Sequence, residues 1–264
     1  MQAIQTKETY PVLGIDISPL SKNEFYHSID QRLCDSDPDS PPFFIVTVNP
    51  EIVMESIIDN EFKKILNSSS MNTADGAGIC WAIDYLYDKN VERITGSDSV
   101  KEISKICAKH SQPLFLYGAA PGVADKAASI LMQDIPGLNV VGTHSPETAV
   151  IPFENLPEDV QDRLYSASVV FVALGAPSQE KWISRNLHHL PNCKLIIGIG
   201  GSFDFIAGTV KRAPAFFQNN RLEWFYRLYL EPSRWKRMMK LPAFAMNIIL
   251  LRSYMSKMNS QVKT

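Results

Sequence analysis

The cysteines, histidines and hydrophobic runs of this chain point to no metal centre, disulfide scaffold or membrane span. Its four cysteines, Cys34, Cys80, Cys107 and Cys193, are far apart and form no C-x-x-C pair, so neither a zinc site nor a disulfide framework is indicated. A reducing compartment fits this usage. The five histidines, His188 and His189 included, lack spaced carboxylate or cysteine companions and read as surface or helix-end residues. No stretch reaches the roughly 18 uninterrupted apolar residues of a membrane span. The nearest, Leu241 to Leu251, is flanked by Lys240 and Arg252 and suits a position in the plane of a membrane interface. The opening MQAIQTKETYPV has no apolar core, so no signal peptide is expected and the protein is placed in the cytoplasm. No internal repeat is visible.

What is present is an uneven distribution of charge. With 264 residues, 45% hydrophobic and 20% charged, the composition is that of a globular protein with a sizeable core. The net charge of -2 hides an acidic body and a basic tail. Residues 1–208 hold 15 Lys and Arg against 26 Asp and Glu, whereas residues 209–264 hold 11 against 2. Segregation of this kind suits an end that meets phosphate-bearing partners: nucleic acid, anionic lipid or a diphosphate.

Short apolar or β-branched runs at 43–49, 113–119, 139–145, 168–175 and 194–200 alternate with segments whose apolar residues recur at three and four spacing. That alternation predicts a doubly wound α/β body built on a mostly parallel sheet, with helices on both faces of strands that are apolar nearly throughout. After Gly208 the strand pattern stops. The expected division is therefore an α/β domain over 1–208 and a helical, basic appendage over 209–264.

In such a sheet ligands bind beyond the carboxyl ends of the strands. The residues there are polar, glycine or proline: Thr47 and Asn49; Asp75; Gly118; Gly175, Pro177 and Gln179; Gly200, Gly201 and Asp204. Glycine lets a ligand approach the backbone, and a helix N-terminus following it offers N–H groups to an anion, which suits phosphate binding without a metal. Each such turn alone is as readily a tight βα connection. Asp75 precedes a helical pattern, so it is either an N-cap or a general base at the crevice floor. The G-x-G-G-x-F run at 198–203 lacks the third glycine of the dinucleotide fingerprint and comes late in the chain, which argues against NAD. Asp35, Asp37 and Asp39 form D-x-D-x-D in a Ser/Pro-rich loop and read as a solvated loop rather than a metal site. In the tail, Arg227, Arg234 and Arg237 would share roughly one face of a continuous helix, a phase that Pro232 interrupts. Arginine suits a diphosphate because its fork donates paired hydrogen bonds and stays charged. The neighbouring aromatics Trp224, Phe225, Tyr226, Tyr229 and Trp235 are core packing or interfacial anchors.

Taken in order, T-V-N-P-E at 47–51, T-A-D-G at 73–76, R-I-T-G-S-D at 93–98, F-L-Y-G-A at 115–119, A-L-G-A-P-S-Q-E-K-W at 173–182 and G-G-S-F-D-F-I-A-G-T-V-K-R-A-P at 200–214 resemble the WecG/TagA/CpsF glycosyltransferases of bacterial surface-polymer synthesis. R-L-E-W-F-Y-R-L and E-P-S-R-W-K-R in the tail extend the likeness to nearly the whole chain. The resemblance implies a Rossmann-like, inverting, metal-independent transferase with no cofactor. It would move N-acetylmannosamine, its uronic acid or a related hexose from a UDP-sugar to a polyprenyl-diphosphate-linked saccharide, in polysaccharide or teichoic acid synthesis at the inner face of the membrane. Carried over by motif, Asp75 is the general base, and Thr47, Asn49, Arg93 and Gln179 line the sugars. Gly118, Gly175, Pro177, Gly200, Gly201 and Asp204 lie on the nucleotide side, and Arg227, Arg234 and Arg237 close over diphosphate at an anionic membrane surface. The chain departs from the common G-A-A-F-D at Gly201-Ser202. Nucleic acid becomes the weaker target for the tail, and the aromatic tail could self-associate into a homo-oligomer. A nucleotide-dependent oxidoreductase on the same crevice is the alternative reading.

Overall fold

A computed structural model describes residues 8–35, 37, 40–148, 151–210, 214, 226 and 235–262. The chain enters through a small antiparallel hairpin, β1 (Tyr10–Val12) and β2 (Ile15–Ile17), followed by α1 (Lys22–Cys34). Ser21 and Glu24 start α1 with a reciprocal capping box. The body then alternates: β3 (Phe43–Val48), α2 (Pro50–Ile58), α3 (Asn60–Ser68), β4 (Met71–Ala74), α4 (Ala77–Tyr87), α5 (Gly96–Lys109), β5 (Leu114–Gly118) and α6 (Val123–Asp134). It continues with β6 (Val140–His144), α7 (Glu158–Ser166), β7 (Val169–Ala173), α8 (Ser178–Asn186), β8 (Leu195–Gly198) and α9 (Ser202–Ile206). Two further helices close the described chain, α10 (Trp235–Met238) and α11 (Lys240–Val262).

Six strands form one sheet in the order β4-β3-β8-β7-β5-β6, every pair parallel. The expected α/β architecture is thus present. Its central strands β5, β7 and β8 are buried throughout, while the edge strand β6 is half-exposed. Side chains alternate between two cores. On β7, Val170 and Val172 pack with α2, α3, α4, α7, α8 and α11 on one face, and Val169, Phe171 and Ala173 pack with α1, α5, α6 and α9 on the other. Where β5 meets β7 the backbones come close: Gly118 has φ 106°, and a Cβ there would stand 2.6 Å from the carbonyl oxygen of Ala173. No other residue type fits that position without strain.

Strand connections decide where the sheet opens. Adjacent strands β3 and β8 send their following helices to opposite faces, since Ile52 and Val53 of α2 lie in one core and Phe203 of α9 in the other. Divergence of neighbouring connections leaves a crevice at the carboxyl ends of those strands. Helix α11 packs on α2 and α4 with Phe244 and Ile248 fully buried, so the C-terminal segment returns to the same end of the sheet.

Candidate active site

A cleft of about 570 Å³ opens at that end. Its floor comes from the β3, β4, β7 and β8 strand ends, and one wall comes from Met238, Leu241, Phe244 and Ala245 of α10 and α11. Lys240 and Glu55 form an ion pair that ties the start of α11 to α2 in this wall.

Asp75 stands on the floor, one residue past β4, with its N–H bonded to the Val48 carbonyl at 2.8 Å. The N-cap of α4 is Gly76, which makes no side-chain cap bond, so the Asp75 carboxylate is not used as a cap for the helix that follows it. Instead Asp75 Oδ2 accepts from the Gly96 N–H at 3.4 Å, at the start of α5, and Oδ1 lies 3.9 Å from Arg93 Nε. A helix N-terminus and a guanidinium are both favourable neighbours for a carboxylate. The group is a quarter exposed, accessible from the cleft yet partly shielded from solvent.

Thr47 is buried at the end of β3, and its hydroxyl donates to the Gly198 carbonyl at 3.1 Å, joining β3 to β8 where the two begin to part. Asn49 caps α2: its Oδ1 accepts from the Ile52 N–H at 3.0 Å, and Pro50 at the first helical position gives up no hydrogen bond there. Gln179, in the first turn of α8, reaches across the sheet end so that its Oε1 accepts from the Gly200 N–H at 3.0 Å. Glycine at 198 makes this reach feasible, because a Cβ there would sit 2.6 Å from Gln179 Nε2. The N–H of Gly200 is therefore occupied by a side chain, where the sequence suggests an amide open to an anion.

Thr47, Asn49, Asp75, Arg93, Gln179, Gly175, Gly200 and Gly201 all line the cleft. Three other expected site residues lie outside its wall. Gly118 ends β5, two strands away from β8. Pro177 follows a cis peptide and precedes α8. Asp204 turns to the end of α9, where its carbonyl accepts from the Thr209 and Val210 N–H groups and its carboxylate from the Thr209 hydroxyl. Arg227 and Arg234 lie outside the described residues, as does the side chain of Arg237 in α10. Of the D-x-D-x-D residues, Asp39 lies outside the described residues, and Asp35 accepts from the Asp37 N–H and the Ser40 hydroxyl. Among the described residues no three His, Cys, Asp or Glu side chains gather as a metal site. Trp81, Glu55, Lys240 and Phe244 also line the cleft, and no local pattern in the sequence signals them.

The sequence profile of the glycosyl transferase WecG/TagA/CpsF family matches residues 10–259. The chain belongs to this family. It is an enzyme, a glycosyltransferase, and the match spans the cleft floor and all but the last residues of α11. Among its relatives, an N-acetylglucosaminyldiphosphoundecaprenol N-acetyl-beta-D-mannosaminyltransferase of Bacillus subtilis (strain 168) is 36% identical over 231 residues, covering 84% of this chain and 82% of the relative. Proteins of the same description from Bacillus spizizenii and from Staphylococcus aureus (strain MRSA252) are each 30% identical, over 92% and 90% of this chain and 91% of each relative. The oxidoreductase alternative finds no support among these matches and is set aside.

Proposed function

We propose that this glycosyltransferase moves N-acetylmannosamine from a UDP donor to an N-acetylglucosaminyl-diphosphate polyprenol, as the names of its relatives describe for them. The observation that carries the reading is Asp75 on the cleft floor, flanked by Arg93 and the Gly96 N–H, with the glycine turns of β7 and β8 opposite. In this mechanism Asp75 takes the proton of an acceptor hydroxyl, and the oxygen attacks the anomeric carbon. The bond from that carbon to the UDP oxygen breaks with its electron pair leaving on UDP. Attack from the face opposite UDP inverts an α-linked donor to a β-linked product. Thr47, Asn49, Arg93 and Gln179 line the sugars, and Gly175, Gly200 and Gly201 form the nucleotide side within the cleft, with Gly118, Pro177 and Asp204 beyond its wall. Fixed positive charge from Arg93 and from the arginines Arg227, Arg234 and Arg237 supplies the stabilisation of departing UDP that a metal gives other transferases.

The tail would act as an appendage to a catalytic body that ends near Gly208, seating the enzyme on an anionic membrane surface. No helix among the described residues is long and apolar enough to cross a membrane. The outward side of α11 exposes Met246, Leu250 and Tyr254, a pattern that suits an interfacial position. Asp75→Asn tests the centre of the proposal. Turnover of UDP-N-acetylmannosamine on a short-chain polyprenyl-diphosphate N-acetylglucosamine should fall by about 10²- to 10⁴-fold while UDP-sugar binding stays near normal. Wild-type turnover in the variant would assign the base to another residue, and a product from a different UDP-sugar alone would overturn the donor.

A further inference from the structure

Directly behind Gln179, in the first turn of α8, stands a carboxyl group that the proposed chemistry does not use. Glu180 has no exposed surface. Its Oε1 accepts from Gln179 Nε2 at 2.7 Å, and among the described residues its Oε2 has no hydrogen-bond partner. From there a chain of contacts runs to the cleft: Glu180 Oε1 to Gln179 Nε2, then Gln179 Oε1 to the Gly200 N–H. A primary amide fits between these two neighbours in one orientation only. Turned over, its NH2 would face the N–H of Gly200, donor against donor, and Glu180 Oε1 would lose the donor it now accepts from.

We infer that Glu180 is a positioning residue, fixing the Gln179 amide so that its oxygen is presented at the Gly200 turn to a hydroxyl or amide N–H of the bound sugar. The inference rests on reading the cleft as a UDP-sugar site. A carbonyl oxygen has two lone pairs, so Gln179 Oε1 can hold Gly200 and accept from a ligand as well. The surroundings of Glu180 favour its neutral form. Around it, β7 and β8 contribute no charged residue. On α8 itself, Lys181 pairs with Asp59 and Glu61, and Arg185 with Glu61, joining this helix to α3. His189, in the turn after α8, pairs with Glu154. Burial raises the Glu180 carboxyl, and although the hydrogen bond from Gln179 and its own backbone N–H pull the other way, it stands at about 7. The acid therefore changes charge close to neutral pH, beside a site for a dianionic ligand.

Two variants separate positioning from packing. Glu180→Gln keeps an acceptor for Gln179 Nε2 and removes the ionisation; Glu180→Leu keeps bulk and removes the acceptor. Binding of UDP-N-acetylmannosamine and of UDP is measured by calorimetry from pH 6 to 8, alongside thermal melting. Glu180→Gln should bind the UDP-sugar within about twofold of wild type at pH 6 and lack the wild-type loss of affinity as pH rises through 7. Glu180→Leu should fold at least as well as wild type yet bind the UDP-sugar about tenfold more weakly, with little change for UDP, the size expected when one buried hydrogen bond to ligand is mis-set. Wild-type UDP-sugar affinity in Glu180→Leu, or pH profiles that coincide in wild type and Glu180→Gln, would overturn the inference. Failure of the wild-type protein itself to bind any UDP-sugar would instead refute the proposed function.

Discussion

Replacing Phe244 by alanine should loosen α11 from the body before it disturbs the sheet. The ring is 2% exposed and sits in the same core as Ile52, Ile79 and Ile83 of α2 and α4. Beyond it, α11 is held by buried Ile248, by partly buried Leu251 and Met255, and by three polar ties, Lys240 to Glu55, Asn247 to the Met54 sulfur, and Arg252 to the Leu86 carbonyl and Asp88. Removing a buried Phe ring costs about 3–5 kcal/mol, combining lost transfer energy and the cavity left behind. A terminal helix that touches the body through few elements opens locally, so this loss falls first on α11. At about 1.4 kcal/mol per tenfold, hydrogen-exchange protection of α11 amides should drop by roughly two to three and a half decades. Amides of β5, β7 and β8 should keep their wild-type protection. Because Phe244 and Leu241 form the cleft wall, weaker UDP-sugar binding should accompany the change. Equal loss of protection in α11 and in the strands would show that the helix is integral to the global folding unit; unchanged protection would show that Phe244 does not hold it.

Burial makes two further outcomes measurable. The thiols of Cys107 and Cys193 are pushed up to about 12 by burial, whereas Cys34 is exposed. Iodoacetamide at pH 8 should alkylate Cys34 first and reach Cys107 and Cys193 only after denaturation, as read by peptide mass spectrometry; early labelling of either buried thiol would contradict the packing. Glu180, raised from 4.5 to about 7, keeps its proton in the folded chain where the unfolded chain gives it up. Its contribution is complete below pH 4.5, and is lost as pH rises to 7, a difference of about 3 kcal/mol. Glu180→Gln should remove that part of the pH dependence of the urea midpoint, and parallel curves for variant and wild type would reject the raised value.

The sheet was readable because burial on both faces leaves long apolar runs: 43–49, 113–119, 168–175 and 194–200 all correspond to strands within a residue or two. The hairpin of β1 and β2 was not, since three-residue strands carry no measurable alternation. Helix α2, PEIVMESII, is apolar on most sides and begins directly after a strand, so its period is hidden. At the site, Thr47, Asn49, Asp75, Gln179 and the glycines follow from one rule, that ligands sit at the carboxyl ends of parallel strands. Arg93 came from the family motif, as it follows α4 rather than a strand. Glu55, Trp81, Lys240 and Phe244 join the cleft only because α11 returns to α2 and α4, which no local pattern encodes. The same holds for Glu180, whose burial is a property of the packed molecule.

Charge in the cleft leads to one further expectation. Among the described residues, three carboxylates, Glu51, Glu55 and Asp75, line it beside two cations, Arg93 and Lys240, and each of those cations already stands by a carboxylate. A diphosphate adds two negative charges, and two unit charges 4 Å apart interact by about 4 kcal/mol at an effective dielectric constant of about 20. The body alone is thus a poor host for such an anion. Neutralising charge is concentrated in residues 209–264, and Lys240 is the part of that supply already seated in the cleft wall. Lys240→Ala should weaken UDP binding by roughly three- to tenfold at low salt, with the deficit shrinking as salt is raised. Glu55→Gln, which releases Lys240 from its carboxylate, should strengthen UDP binding. If both variants weaken it alike, the Glu55–Lys240 pair serves only to seat α11, and if neither changes it, Lys240 contributes nothing to diphosphate recognition.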